Sequence, residues 1–338
     1  MSIVNTITRM LTKQVAMGLL AAALLPVASL SQAEEAAANI VQDPTAVGTP
    51  VGKRGPTTLK FRLDSVELKG VLDAKAGTTY TYWTYNGKVP GPMLRAMVGD
   101  TVEITLGNKS NSAMIHNVDL HAVWGQGGGA EATKVAPGEE KSFVFKALHP
   151  GLYVYHCATP VIPQHISSGM YGLILIEPKG GLPKVDREFY IMQGDIYATG
   201  AGNHKEFDLE RMLAEDPTHV VMNGSAAALA ANPMKAKVGD NVRIFFGVGG
   251  PNLTSAFHAI GTIFDKVYPE GSLAHMHPDI QTTVVPPGGS TMVEMKLRVP
   301  AKYILVDHAL GRLMKGNVAI IVAEGDKVPD IFREGKLK

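Results

Sequence analysis

The chain repeats itself, and the repeat limits the fold more than any other feature. Val98-Gly99-Asp100-Thr101-Val102 recurs as Val238-Gly239-Asp240-Asn241-Val242. Asn86-Gly87 precedes the first copy and Asn223-Gly224 the second. Pro137-Gly138 is followed by Pro150 and Tyr153, and Pro287-Gly288 by Pro300 and Tyr303 at the same spacings. Motif pairs in the same order mark two copies of one module. Between them, runs such as Thr58–Leu68 and Asp100–Leu106 alternate apolar with polar residues and are punctuated by Pro and Gly. That is the pattern of half-buried strands. A short stretch near Leu209–Ala214 alone has a helical period, and reads as a loop helix. The expected fold class is therefore all-β: two tandem Greek-key β-sandwich domains. The boundary falls in the Pro/Gly-rich linker Glu177–Asp186, giving a first domain at 57–180, a second at 187–330 and a tail at 331–338.

The N-terminus stands apart from this pattern. Arg9 and Lys13 precede an apolar stretch from Val15 to Leu30, and Ser31-Gln32-Ala33 suits a cleavage site. This reads as a secretory signal peptide over 1–33, followed by an extended arm over 34–56. The rest of the chain has no stretch that reads as a membrane span. The formal charge is +1, and −1 once Arg9 and Lys13 are lost, which argues against nucleic acid as a partner. Export normally invites disulfides, yet Cys157 is the only cysteine. Its thiol has no partner within the chain and is free for a metal.

Around that cysteine the sequence runs YHCATPVIPQHISSGM, which places His156, Cys157, His165 and Met170 in one short segment. Cys, His and Met at this spacing, with a second His upstream, are the ligand set of a blue-type copper site. His116 supplies the upstream imidazole. Alternate strand residues face opposite ways, so His156 points away from Cys157. His116 and His121 are five apart in HNVDLH and also face opposite sides, whereas Asp119 shares the face of His121. His116, Cys157, His165 and Met170 form one expected site, and His121 and His156 begin another. Two imidazoles make a weak site, so a third must arrive from elsewhere. His308 is the best candidate. Aligning Tyr153 with Tyr303 sets Cys157 opposite Asp307, so the second copy cannot build the first centre. It keeps His308 and, in the region equivalent to His116, His258. Asp119, beside a metal and a second histidine, is suited to deliver protons. His149, His204 and His219 read as surface or loop residues. Gly125–Gly129 lacks the Gly-Lys-Ser/Thr of a phosphate loop, and reads as a hairpin loop near the second metal.

HNVDLH, YHC…H…GM, FHAIG and LVDH occur in this order. With them the chain resembles the copper-containing nitrite reductases, homotrimeric periplasmic enzymes that reduce nitrite to nitric oxide. It is similar to their outer-membrane-associated neisserial branch in YGLILIEPKGGLPKVDREFYI and AFHAIGTIFDKVYPEG. The resemblance implies two cupredoxin-like domains and two coppers per chain. His116, Cys157, His165 and Met170 match the type 1, electron-accepting ligands. His121, His156 and His308 match the type 2, catalytic ligands, the third coming from a neighbouring subunit. Asp119 and His258 match the acid/base pair, and Ile260 a residue shaping the nitrite pocket. The electron would pass from type 1 to type 2 copper through Cys157-His156. A small donor protein, cytochrome c or cupredoxin, is implied as partner, and the periplasm as the location. Trp124 and the SLAHMHPD loop depart from the family pattern. Two other readings remain: a multicopper oxidase using dioxygen, and a non-catalytic copper electron carrier. The first needs a His-Cys-His run, but Ala158 follows Cys157; the second needs only the first site.

Overall fold

Two strands that are buried along almost their whole length set the architecture. Tyr171–Glu177 is buried throughout, and Arg187–Ile196 is buried from Phe189 onward. A strand reads as a continuous apolar run when both its faces are covered. Leu173 and Leu175 join one core cluster, whereas Ile174 and Ile176 join another. Likewise Tyr190 and Met192 face the first of these clusters, and Phe189 and Ile191 face a third. Each strand thus separates the core of its own sandwich from an apolar layer shared by both sandwiches. In that layer Tyr82, Leu152 and Val154 meet Phe245 and Met292.

The computed structural model describes residues 36–336, so the expected signal peptide lies outside the described residues. The first sandwich has a six-stranded sheet in the order Ala198–Thr199, His204–Phe207, Thr78–Tyr85, Thr58–Asp73, Thr101–Asn108, Glu140–Lys146. It is faced by Leu94–Met97, Tyr171–Glu177, Gly151–His156 and Asp119–Leu120. The second sandwich packs a six-stranded sheet built around Arg187–Ile196 and Asn241–Gly250 on a five-stranded sheet that includes Ser255–Ile260 and Ala301–Asp307. The molecule is therefore all-β in the expected two-sandwich form. The expected loop helix appears at Leu209–Leu213, capped by the Asp208 side chain. No helix among the described residues is long and apolar enough to cross a membrane.

The repeat is visible in atoms. Asp100 accepts from the Met97 N–H at 2.8 Å and Asp240 from the Lys237 N–H at 2.9 Å, closing the same turn twice. Gly99 donates to the Ala147 carbonyl at 2.8 Å, and Gly239 to that of Leu297 at 2.7 Å. Both glycines have φ of 95°, a left-handed conformation open to glycine without cost. The first copy adds a clamp, in which Arg54 of the arm grips Asp100 with two 2.6 Å bonds.

Two features were not legible as domains in the sequence. His204–Phe207 pairs in parallel with Thr79–Tyr80, so a strand beyond the linker completes the sheet of the first sandwich. His204 and His219 accordingly lie on strands, half-buried, rather than in loops. A chain of buried charges also crosses the junction: Arg95 binds Glu177 at 2.8 Å and Glu188 at 2.7 Å, and Glu188 in turn binds Arg243 at 2.7 Å. Removing one partner of such a pair leaves an uncompensated buried charge, at a cost of about 3–5 kcal/mol.

Candidate metal centres

The strand Gly151–His156 ends in the dipeptide that divides the site, with His156 half-buried and Cys157 fully buried. A short helix, Ile162–Ser167, follows and turns His165 inward. Sequence periodicity missed this helix because it spans less than two turns. Cys157 Sγ lies 3.3 Å from His165 Nδ1 and 4.0 Å from His116 Nδ1, and the two Nδ1 atoms are 3.3 Å apart. All three residues are shielded from solvent. Met170 is also fully buried, in the same core cluster as Cys157. Its carbonyl accepts from Cys157 N–H at 3.1 Å, and its own N–H donates to the His165 carbonyl at 3.1 Å.

The electrostatics favour a thiolate. Burial pushes the Cys157 thiol up, but hydrogen bonds from His116 and His165, the charge on His165 and a bond from Thr159 outweigh it and hold the thiol well below its ordinary value. The Asn117 N–H donates to Sγ at 3.5 Å. One buried sulfur and two ring nitrogens converging in an apolar core are a soft, mixed N/S donor set, which fits copper and needs a cation to balance it.

The same strand end builds the second cluster. Asp119 pairs in register with His156, and His121 donates its backbone N–H to Val154 at 3.0 Å. The two imidazoles meet through Nε2 at 3.2 Å. His156 Nδ1–H donates to the Cys157 carbonyl at 3.0 Å, which fixes the tautomer and leaves Nε2 as the ligating nitrogen. Desolvation by atoms packed around the ring, then the His156 ring, depress the His121 pKa, although part of the residue stays open to solvent. Two imidazoles with converging Nε2 atoms fit a divalent transition metal. His121 and Asp119 are also shaped by two glycines outside the ligand motifs. A Cβ on Gly288 would sit 3.3 Å from His121 Cε1. One on Gly128, at φ 63°, would fall 1.9 Å from Asp119 Oδ1. Gln126–Gly129 is thus a tight turn packed on Asp119 rather than an open hairpin loop.

His258 and His308 do not reach this cluster within one chain. They face each other, ring centroids 5.2 Å apart, on the second sandwich. His308 is exposed there and Ile260 is 42% exposed. Asp307, the counterpart of Cys157, is fully buried and accepts from the Ala256 and Ala309 N–H groups at 3.1 and 3.0 Å. The backbone on both sides of His308 is thereby fixed. His258 Nδ1–H donates to the Gln281 carbonyl at 2.6 Å. Trp124 is 76% exposed and stacks on His149 at 5.6 Å.

Glu67 has no sequence signal. Its Oε1 lies 2.9 Å from His116 Nε2, and it accepts the Ala113 and Met114 N–H groups at 2.9 Å each. Burial raises the Glu67 pKa, but the bond to His116 and these two N–H groups hold it below the usual carboxylate range. It sits on a strand 49 residues before His116, with no motif around it.

The chain is similar in sequence and fold to known proteins. A multicopper oxidase family profile matches residues 69–181. The copper-containing nitrite reductase of Neisseria meningitidis serogroup A is 49% identical over 82% of this chain and 73% of its own. That of Pseudomonas chlororaphis is 36% identical over 83% of both chains. The solved copper nitrite reductase from Nitrosomonas europaea superposes with a TM-score of 0.72 at 34% identity, covering 81% of this chain and 96% of its own. A solved multicopper oxidase reaches a TM-score of 0.71 at 24% identity, which is a likeness of fold alone. With half of its aligned residues shared with the neisserial enzymes, and the same two-sandwich fold as a solved relative, the chain belongs to the copper-containing nitrite reductases.

Proposed function

We propose that the enzyme reduces nitrite to nitric oxide at a centre completed by a second copy of the chain. His116, Cys157, His165 and Met170 hold type 1 copper. His121, His156 and His308 of the partner subunit hold type 2 copper, in a homotrimer with two coppers per chain. The observation that carries this reading is the split donor set: His121 and His156 converge on one sandwich, while His308 stands exposed beside His258 on the other. Copper at these donors supplies one-electron chemistry and a positive charge for the nitrite anion.

The chain's own residues do the rest. Nitrite takes up one electron and two protons and leaves as nitric oxide and water. The Cys157-His156 peptide joins the two ligand sets covalently. Asp119, on the second cluster, and His258, brought over with His308, hold and deliver the two protons. Ile260 shapes the pocket beside them. A small donor protein, cytochrome c or cupredoxin, feeds the buried first centre, and the reaction takes place in the periplasm. An oxidase reading would need further histidine clusters, but the described residues contain two metal-competent groups of three.

Adding nitrite anaerobically to dye-reduced, copper-loaded protein should release nitric oxide at an electrode, with two coppers counted per chain. Loaded protein that makes none would overturn the reading. The glycine packed on Asp119 gives a finer test. Gly128→Ala pushes a methyl into the carboxylate, so nitrite turnover should fall about 10²-fold. The visible spectrum, which reports the first centre, should stay unchanged.

A further inference from the structure

The two imidazoles of the first cluster are held in different ways. His165 Nε2 is buried with no hydrogen-bond partner, and its ring is packed under Trp83 with centroids 4.7 Å apart. His116 Nε2 instead meets the carboxylate of Glu67 at 2.9 Å. Glu67 is itself pinned, since the Ala113 and Met114 N–H groups bind its two oxygens just before His116 in the chain. Its side chain is 13% exposed, so solvent screens it little. In the neutral, ligating form of the ring, an acceptor on Nε2 holds the one proton there and leaves the Nδ1 lone pair facing Cys157. It also makes that lone pair more basic, as carboxylate partners of metal-bound histidines do.

We infer that Glu67 is a positioning residue of the first centre: it locks the tautomer and orientation of His116 and, as an anion, favours the oxidised metal over the reduced one. The inference rests on that centre being a copper site. Its sign follows from charge. A negative group beside the ligand stabilises Cu(II) more than Cu(I), so it lowers the reduction potential. Glu67→Gln keeps the shape and removes the charge. One of the two backbone N–H groups then loses its acceptor.

The test is redox titration of copper-loaded protein, followed in the copper–thiolate band. In Glu67→Gln the band should remain but shift, and the potential should rise. A tenfold change in the oxidation equilibrium corresponds to about 59 mV for a one-electron couple. A variant whose band and potential both match the parent overturns the inference. If the parent itself has no copper–thiolate band, the copper reading fails instead. Should Glu67→Gln not fold, nitrogen-15 NMR of the parent in its diamagnetic Cu(I) form decides. His116 Nε2 must carry a slowly exchanging proton, and an unprotonated Nε2 sinks the proposal.

Discussion

His308→Ala leaves the colour of the protein intact and removes nitrite turnover. The first centre takes its donors from the first sandwich alone, so its spectrum should persist. The second retains only His121 and His156, whose Nε2 atoms are 3.2 Å apart. Losing a ligand should weaken metal binding there by at least the about 10–100-fold seen when a mere supporting group is removed. Turnover should fall to background, with copper near one per chain. Folding should survive, because the exposed imidazole contributes little to the core. The same variant tests where the ligand comes from. Co-expressed with His121→Ala, it should, on the proposed shared site, form mixed assemblies in which one copy's His121 and His156 meet an intact His308 of the partner subunit. Activity then returns in part. If each chain completed its own site, the mixture would stay inactive, and the shared-site reading would fail.

Cys157→Ser gives the complementary loss. Serine does not ionise where the depressed thiol does, and a thiolate is what this donor set offers a metal. The visible band should vanish and the copper content fall from two per chain to about one. Turnover driven by a protein donor should disappear, because electrons no longer have an entry point. Small reductants that reach the exposed second cluster directly should still support slow nitric oxide release. A coloured Cys157→Ser protein would refute the assignment of the first centre.

Much of this was legible in the sequence, for reasons that differ from residue to residue. The paired Val-Gly-Asp turns disclosed the two sandwiches because each turn has the same bonding demand: an aspartate accepting a backbone N–H three residues back. The sorting of His116 from His121 by strand parity gave the partition seen, although its premise was too simple. Only Asp119–Leu120 is strand, and His116 makes an isolated bridge to Val135. Parity worked because Asp119 and His156 are register partners, which fixes which way His121 turns. Glu67 was invisible, since it acts through a contact whose partner is set by tertiary packing alone; the Gly125–Gly129 run was placed near the second metal, but its fit against Asp119 was not legible. The hairpin at Ala198–Phe207 was hidden for another reason: ATGAGNHKEF has no apolar–polar alternation to mark a strand, and sequence does not say which sheet an edge strand joins.

That hairpin makes the linker at Glu177–Asp186 a poor place to cut. A first half ending there would expose the backbone edge of Thr79–Tyr80, now occupied by His204–Lys205. It would also wet the buried rings of Tyr80 and Tyr82. An open strand edge beside bared aromatic surface is an invitation to aggregate. The repeat makes the halves look separable, but the shared sheet makes the first depend on the second. The first half cannot be expressed alone without leaving a raw seam, so the two sandwiches should melt as one cooperative unit.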